Sequence, residues 1–336
     1  MKDIKAVEFK NGKLHILDQT KLPLSEEYII TDDYERIAAA IEKLEVRGAP
    51  VIGVAAAYGL ALSMKNTDSD KKEVFEKAFQ RLHSTRPTAV NLFYGLNEIK
   101  KVFTSYTDSE NIFSKLIERA DGIYKEDEII CEKIAENGLG IFTKKSRVLT
   151  HCNAGALVSA GNGTALYVIR HAFEKGFIEF VHADETRPLL QGSRLTAWEL
   201  FNYGIPFQYN TDSSAAVLIR DKKVDLVITG ADRIAVNGDS ANKIGTYNLA
   251  VLCKYHGIPF YIAAPTTTVD KNCSEGSKIK IEYRNKKELN HYKDIQITSD
   301  EFEVFSPAFD VTPNELITAI ITEKGIHKPP FDFSNV

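Results

Sequence analysis

The stretch that decides the fold runs from residue 146 to residue 185, SRVLTHCNAGALVSAGNGTALYVIRHAFEKGFIEFVHADE. It begins with a short apolar run, SRVLTHCN, continues through the helical pattern GTALYVIRHAFEKG and ends in a second apolar run, FIEFVHADE. A strand, a helix and a strand in this order predict parallel strands joined by a crossover helix. Because a parallel sheet is covered on both faces, we expect helices on either side of it.

The same alternation continues toward the C-terminus. Further strands are predicted for PFQYNT, VDLVITGAD and PFYIAAP, and further helices for LQGSRLTAWELFNYG, SAAVLIRDKK and ANKIGTYNLAVLCKYHG. The segment PAFDVTPNELITAIITEKG is predicted to form one more capped helix. We therefore predict a Rossmann-like α/β domain with a parallel sheet over residues 141–336.

The chain before residue 141 has a different pattern. AVEFKNGKLHILDQ alternates apolar and polar residues around Asn11-Gly12, which predicts a β-hairpin. From about residue 34 to residue 130, apolar residues recur at helical spacing. These patterns predict a small, mainly helical N-terminal domain, residues 1–140, with a hairpin or small sheet. A length of 336 residues fits two such domains.

Composition narrows the class of protein. A formal net charge of −4 argues against broad electrostatic binding to nucleic acid. The N-terminus lacks the apolar core of a signal peptide, and the apolar run after Pro50 is too short to cross a bilayer. We expect a cytoplasmic protein that does not bind membranes. The four cysteines form no CxxC pair and the eight histidines are scattered, so we predict no metal site.

Basic residues stand where helices are predicted to begin. Arg47 precedes Gly48, Ala49 and Pro50 at the start of a long apolar helix. A helix N-terminus carries a partial positive charge, so a cation there is unfavourable unless an anion offsets it. The pattern recurs at Arg86, Arg187 and Lys243, the last of these in the predicted first turn of a helix.

Together these four cations predict a site for an anion, with phosphate as the natural candidate. The alternative for each is a solvated side chain or a partner for a nearby carboxylate. Arg187 follows Asp184 and Glu185 and fits that structural interpretation.

Two reactive groups follow predicted strands. Cys152 comes after VLTH and Asp232 after LVITG, at the strand ends where open α/β sheets bind ligands. Nearby cations would lower the pKa of a thiol, and desolvation beside LVITG would raise the pKa of a carboxyl. The pair suits proton transfer on a phosphate-bearing substrate, such as an aldose–ketose isomerisation.

Each of these residues also has a structural interpretation. Cys152 could be a small buried hydrophobe, and Asp232 a turn carboxylate or a partner of Arg233. Asp239 is interpreted as the N-cap of the next helix and His151 as a hydrogen-bonded core histidine.

Six segments carry a resemblance to a known family: VRGAPVIGVAAAYG, RPTAVNLFYGL, THCNAGALVSAGNGTAL, DETRPLLQGSRLTAWEL, GADRIAVNGDSANKIGTYNLA and PAFDVTPNELITAIITEKG. In this order they resemble the methylthioribose-1-phosphate isomerases, which are related to the regulatory subunits of initiation factor 2B. The resemblance runs from about residue 15 to residue 326. It implies a homodimeric enzyme of methionine salvage that isomerises a sugar 1-phosphate and uses no metal or other cofactor.

The resemblance also implies roles for individual residues. Cys152 matches the family's catalytic cysteine and Asp232 its catalytic aspartate, the proton donor. Residues that match substrate contacts are Arg47, Gly48 and Ala49 of the phosphate loop, with Arg86, Gln191, Asn242 and Lys243. Arg187 matches no such position.

The substrate and the class of function stay open at this level. Related enzymes isomerise 5-deoxyribose 1-phosphate or ribose 1,5-bisphosphate, and the 5-substituent pocket cannot be located from the sequence. Two alternatives of other classes are a non-catalytic regulatory subunit of a guanine-nucleotide exchange factor and a sugar-phosphate sensor.

Overall fold

A computed structural model describes residues 2–65, 70–86, 90–107, 109–292 and 294–336. It contains two compact units. The N-terminal unit comprises residues 2–132 with 155–163, and the C-terminal unit comprises residues 133–154 with 164–336. The division into domains 1–140 and 141–336 stays a prediction. No helix in the described ranges is long and apolar enough to cross a bilayer.

The N-terminal unit combines a three-stranded antiparallel sheet with helices. The strands are β1 (Val7–Lys10), β2 (Lys13–Leu17) and β3 (Tyr28–Thr31), and the helices are α1 (Tyr34–Glu42), α2 (Ala49–Leu62), α3 (Lys71–His83), α4 (Val90–Tyr106) and α5 (Ile112–Gly138). The last six residues of α5 belong to the C-terminal unit. The predicted hairpin is confirmed. Asn11 and Gly12 both have positive φ, 54° and 71°, as a two-residue hairpin turn requires.

Helix α2 is buried along almost its whole length, which explains its lack of charge. Its backbone touches that of α4 at two glycines. A Cβ on Gly53 would lie 2.4 Å from the Asn91 carbonyl oxygen, and one on Gly95 would lie 2.3 Å from the Gly53 carbonyl oxygen. This approach near the first turns of both helices admits only glycine. The starts of α2 and α4 are therefore neighbours.

The C-terminal unit contains a seven-stranded sheet in the order β16-β15-β10-β7-β4-β5-β6. All neighbouring pairs are parallel except β15 and β16, so the predicted parallel sheet is confirmed. Its strands are β4 (Ser146–Thr150), β5 (Ile178–Asp184), β6 (Phe207–Asn210), β7 (Leu226–Thr229), β10 (Phe260–Ala263), β15 (Ala319–Thr322) and β16 (Gly325–His327). Strand β4 lies next to the middle strand β7, so its carboxyl end is in the interior of the sheet edge.

Helices and two smaller sheets complete this unit. The helices are α6 (Ala165–Glu174), α7 (Ala197–Tyr203), α8 (Ser214–Arg220), α9 (Thr246–His256) and the single turn α10 (Lys287–Asn290). The smaller sheets consist of β11 (Val269–Asp270), β8 (Arg233–Ala235), β9 (Ser240–Lys243) and β14 (Phe309–Thr312), and of β12 (His291–Tyr292) with β13 (Ile295–Gln296).

Two helix predictions in this unit were wrong in detail. Residues 307–325 form β14, a short 3₁₀ turn and β15 instead of a capped helix, because β14 pairs with β9 and the fully buried strand AIIT pairs with β10. Helix α9 begins only at Thr246, after Gly245 with φ of 105°. Lys243 is therefore the last residue of β9 and does not lie in a helical first turn.

The predicted N-cap role of Asp239 was also wrong. Its carboxylate accepts hydrogen bonds from the backbone N–H groups of Gly276 and Asn314, at 2.8 Å each. These bonds join three distant loops, which the local sequence does not reveal.

Candidate active site

Cys152 lies just beyond the end of the interior strand β4. Its φ is 63°, a left-handed conformation that is uncommon for a residue with a side chain. Its N–H donates to Thr186 Oγ1 at 2.9 Å, and its carbonyl oxygen accepts from Thr196 Oγ1 at 2.6 Å. Backbone strain of this kind persists only where the surroundings enforce it, and it clusters at functional sites.

The two threonines are functional residues that the sequence did not single out. Thr186 also has positive φ, 64°, and its N–H donates to Asp212 Oδ1 at 2.7 Å. Asp212 Oδ2 accepts from the backbone N–H of Arg187 at 2.8 Å, and the Arg187 guanidinium donates to the Pro188 carbonyl oxygen at 3.3 Å. Hydroxyl-to-backbone bonds across separate strands leave no local pattern in a sequence.

The other three cysteines differ from Cys152 in exposure. Cys131, Cys253 and Cys273 are buried, whereas Cys152 is half-buried. Burial raises the pKa of the Cys253 thiol to about 12 and that of Cys131 still further. Because the thiolate is the reactive form of cysteine, these two are inert near neutral pH. Cys152 is therefore the thiol that can meet a ligand, and its interpretation as a small buried hydrophobe does not fit.

Asp232 follows β7 on an exposed turn, with its N–H donating to the Ala241 carbonyl oxygen at 2.9 Å. The expected desolvation by the protein is absent, because the apolar strand ends before the turn. Arg233 forms an ion pair with Asp270, Nη1 to Oδ2 at 3.5 Å, whereas the sequence suggested Asp232 as its partner.

The turns that carry Cys152 and Asp232 lie against each other. A Cβ on Gly230 would stand 2.9 Å from the Ala154 Cβ, so only glycine fits without a shift at this point. Gly230 is two residues from Asp232, and Ala154 is two residues from Cys152. The structure thus brings the predicted thiol and carboxyl to adjacent turns at the carboxyl edge of the sheet.

Gln191 lies at the start of a π-helical turn, Gly192–Thr196, which precedes α7. Such turns are rare and frequently occur at functional sites. Gln191 is 3% exposed, and within the ranges that the structure covers its buried Oε1 has no hydrogen-bond partner. A buried acceptor without a partner calls for an explanation, and a ligand hydroxyl is one that the turn can accommodate.

Asn242 and Lys243 end strand β9, which pairs with β14. Asn242 is buried and its Nδ2 donates to Thr246 Oγ1 at 3.0 Å. The Lys243 Nζ lies 4.4 Å from the centroid of the Phe309 ring. The N–H groups of Gly245 and Tyr247, at the start of α9, donate to the Asp310 carboxylate. The Asp310 carboxylate therefore already occupies the start of α9. Lys243 could contact an anionic ligand only through its own ammonium group.

His151 is a buried residue between β4 and Cys152. Its Nδ1 is 3.0 Å from Asp184 Oδ2, and its Nε2 is 2.9 Å from the Ile244 carbonyl oxygen. Both nitrogens are satisfied, as the interpretation of a core histidine expects. The side chains of His151, Asp184 and Asp212 converge within 4.8 Å, but hydrogen bonds within the protein already occupy their ligand atoms.

The remaining predicted residues lie in the N-terminal unit. Gly48 is the N-cap of α2, with φ of 106°. Within α2, which the structure describes throughout, the first turn of Ala49 and Pro50 carries no acidic residue, and Gly48 offers no side-chain cap. Helix N–H groups without a cap form an anion site. Arg47, half-buried, stands directly before it.

Arg86 is half-buried and follows the C-terminal end of α3. The predicted helix start at Pro87 lies outside the described residues, and α4 is described from Val90. Since the starts of α2 and α4 are neighbours through Gly53 and Gly95, the two arginines precede adjacent helix ends. Arg47, Gly48, Ala49 and Arg86 thus lie in one unit, and Cys152, Gln191, Asp232, Asn242 and Lys243 in the other.

The glycine-rich segment 155–163 packs within the N-terminal unit. Asp127 of α5 accepts hydrogen bonds from the N–H groups of Ala160 and Gly161, at 2.6 and 3.4 Å. Val158 touches Gly48 closely, since a Cβ there would lie 2.4 Å from the Val158 Cβ. The segment therefore buttresses the loop of Arg47. Asp127 is a third residue that the sequence did not single out.

Burial raises the pKa of Asp127 to about 6, against the lowering effect of these two hydrogen bonds. The folded chain then keeps a proton that the unfolded chain releases near pH 4, so stability falls as pH rises from 4 to 6. We expect Asp127→Asn to remove about 2 kcal/mol of this fall. Urea unfolding from pH 4 to pH 7 measures it, with Asp294→Asn, an exposed carboxyl, as the control. Parallel pH curves for wild type and Asp127→Asn would contradict the assignment.

The geometry defines a class: an α/β protein with a thiol and a carboxyl on adjacent turns, and with an uncapped start of helix α2 that is preceded by Arg47. Residues 45–329 match the initiation factor 2 subunit family, to which this chain belongs. It is 50% identical to the methylthioribose-1-phosphate isomerase of Caldicellulosiruptor saccharolyticus, over 98% of this chain and 97% of the relative.

Two solved structures are similar over nearly the whole chain. One is the 5-methylthioribose 1-phosphate isomerase of Pyrococcus horikoshii OT3, with a TM-score of 0.93, 40% identity and coverage of 98% of this chain and 94% of that one. The other is described as the delta subunit of translation initiation factor eIF-2B from A. fulgidus, with a TM-score of 0.88, 40% identity and coverage of 98% and 97%.

Proposed function

We propose that this protein is an aldose–ketose isomerase of methionine salvage, which converts 5-methylthio-α-D-ribose 1-phosphate into 5-methylthio-D-ribulose 1-phosphate. The observation that carries the reaction type is the placement of the Cys152 thiol and the Asp232 carboxyl on touching turns at the carboxyl edge of the sheet. Relatives at about half identity over nearly their full length support the substrate.

The substrate poses a specific chemical problem. Its anomeric carbon carries the phosphate, so the sugar has no free aldehyde, and the ring must open with the phosphate retained. We assign to Asp232 the proton that goes to the ring oxygen as the bond from C1 to that oxygen breaks. Because Asp232 is exposed in its unit, the desolvation that favours a general acid would come from the substrate itself.

The second step moves hydrogen between carbons. The Cys152 thiolate removes the proton from C2, which gives an enediol-type intermediate bearing the phosphate. A proton is then added at C1, while the C2 hydroxyl returns its proton to the Asp232 carboxylate and becomes the ketone. Every proton taken up is released, so substrate and product are isomers. A hydride shift from C2 to C1 is the alternative, and it leaves no solvent hydrogen on C1.

Turnover tests the proposal directly. Purified protein with methylthioribose 1-phosphate should produce a ketose seen by ¹³C NMR, and D₂O should place deuterium at C1. Side-by-side kinetics with the 5-deoxy and 5-phospho analogues identify the 5-substituent. Deuterium-free product would favour the hydride-shift mechanism over the enediol mechanism. Absence of turnover on all three substrates would refute the proposed isomerase function.

Arg47, Gly48, Ala49 and Arg86 are assigned to the phosphate. The first three stand at the start of α2, which has no side-chain cap, and Arg86 precedes the neighbouring helix α4 in the sequence. Gln191, Asn242 and Lys243 are assigned to further substrate contacts. The assignments use only charge, hydrogen-bonding capacity and position within each unit.

Arg47→Ala should raise the Kd for the substrate about 30-fold, since a charge-assisted hydrogen bond contributes ~2 kcal/mol. Calorimetric titration with the substrate measures it. Arg81→Ala is the matched control, because that guanidinium is paired with Glu35 and Glu42 in the same unit. An unchanged Kd for Arg47→Ala would mean that Arg47 does not bind the phosphate and is a solvated side chain.

A second candidate, a non-catalytic subunit of an exchange factor, has one observation in its favour: the initiation-factor structure is as similar in sequence as the isomerase structure. The candidates differ in what they need from Cys152. A scaffold has no use for a half-buried thiol in a strained backbone conformation. Turnover therefore separates them.

We also propose that the chain is a homodimer in the cytoplasm. Tyr247, Val251 and Tyr255 form an apolar stripe on α9, with 42%, 39% and 83% of each residue exposed. The four free cysteines fit a reducing compartment. Light scattering should give the mass of a dimer, which Val251→Asp with Tyr255→Asp converts to a monomer and Lys254→Asp does not. A dimer that survives the double variant would place the interface elsewhere.

A further inference from the structure

The hydrogen bonds of His151 fix how many protons it shares with Asp184. Its Nε2 faces the Ile244 carbonyl oxygen, which can only accept, so Nε2 carries a hydrogen. One more proton lies between Nδ1 and Asp184 Oδ2, 3.0 Å apart. The pair thus holds two protons, whether the second belongs to the ring or to the carboxyl. The other carboxylate oxygen, Asp184 Oδ1, accepts from Asn210 Nδ2 at 2.8 Å.

The pair joins three segments that are far apart in the sequence. His151 is the neighbour of Cys152, Asp184 ends β5, and Ile244 follows Lys243. Gly245 is held against the ring, since a Cβ there would lie 2.9 Å from His151 Cε1. Both partners are buried, with 2% and 1% of each residue exposed, so water cannot replace either bond cheaply.

We propose that the two-proton His151–Asp184 pair is a positioning element of the active site, which sets the turn of Cys152 and the strand end of Lys243 relative to each other. Neither residue contacts the substrate in this account. The inference rests on the proposed isomerase function only for its effect on catalysis. The connection between the three segments follows from the hydrogen bonds alone.

Charges around the ring keep its protons in place. Asp184, Asp212 and Asp310 are the carboxylates that act on it from β5, the turn before α8 and β14. Burial lowers the pKa of His151, but the hydrogen bond and charge of Asp184 more than offset this, so the pKa is raised. The stabilisation is complete below the ordinary histidine pKa of about 6.5 and is lost as pH rises through the raised value.

Three variants test the positioning role of the His151–Asp184 pair. His151→Gln should lower kcat/KM about 100-fold, the scale of a misplaced catalytic group, with both a lower kcat and a higher KM. Asp184→Asn keeps both bonds, because its amide can donate to Nδ1 while Nε2–H still donates to Ile244, and should retain activity within about fivefold. Asp184→Leu cannot bond to Nδ1 and should lose as much as His151→Gln. His182→Gln, at an equally buried histidine on β5, is the matched control.

Two readouts do not depend on activity. In ¹⁵N-histidine NMR, one imidazole should keep a hydrogen on Nε2 at every pH at which the protein is folded, because Nε2 faces a carbonyl oxygen, and His151→Gln should abolish that signal. Hydrogen exchange should accelerate at residues 151–154 and 243–247 together in His151→Gln and in neither segment in His182→Gln. If the wild-type protein lacks turnover, the proposed function is refuted, but the NMR and hydrogen-exchange measurements still test the positioning role of the pair. A His151 ring without a hydrogen on Nε2, exchange altered in one segment only, or full activity in His151→Gln would overturn the proposed positioning role.

Discussion

Cys152→Ser should reduce kcat about a thousand-fold, with KM almost unchanged. Serine preserves the shape and the two backbone bonds to Thr186 and Thr196, but its hydroxyl does not ionise near neutral pH and cannot take the proton from C2. An interaction made only in the transition state appears in kcat and not in substrate binding. Steady-state kinetics measure both constants, and exchange of the C2 hydrogen with D₂O should disappear with turnover.

The control for Cys152→Ser is Cys253→Ala. Cys253 is buried in α9, so this change should lower stability while leaving kcat within about twofold. Circular dichroism confirms that each variant is folded. Wild-type kcat in Cys152→Ser would refute the role of the thiol and would direct attention to the hydride shift.

Asp232→Asn should reduce kcat by 10²- to 10⁴-fold, about what a general acid contributes. The amide has the size of the carboxyl but no proton to give to the ring oxygen, so the substrate should bind and stay ring-closed. Substrate labelled with ¹³C at C1 distinguishes this variant from Cys152→Ser by NMR. The first should hold closed substrate, and the second should retain ring opening without transfer of the C2 hydrogen.

Asp270→Asn is the matched control for Asp232→Asn. Asp270 belongs to β11 of the same small sheet, and its carboxylate pairs with Arg233, the residue after Asp232. Loss of a partly exposed ion pair should change kcat less than twofold. If Asp232→Asn opens the sugar ring at the wild-type rate, another group supplies the proton.

Much of the fold could be predicted because local patterns carried it. The hairpin at Asn11-Gly12, the N-terminal helices and the parallel strands were confirmed. The predictions failed at residues 240–243 and 307–325, where segments predicted as parts of helices form β9, β14 and β15. There, pairing between segments almost seventy residues apart decides the structure, and no short window contains that information.

The candidate site divides in the same way. Cys152 and Asp232 could be predicted, because each follows an apolar strand and has a reactive side chain. Thr186, Thr196 and Asp127 could not, because their roles consist of bonds to the backbone of distant loops. The desolvation expected for Asp232 failed for a related reason: the apolar residues before it in the sequence do not surround it in space.

The sequence alone determined the order of strands and helices and the residue types available for chemistry, because periodicity, turn residues and family motifs are local properties of the chain. Only the tertiary structure decided which strand ends meet, that Cys152 adopts a left-handed conformation, and that His151 joins Asp184 to Ile244. Those features depend on contacts between residues that are distant along the chain, whose positions are fixed only when the whole core packs.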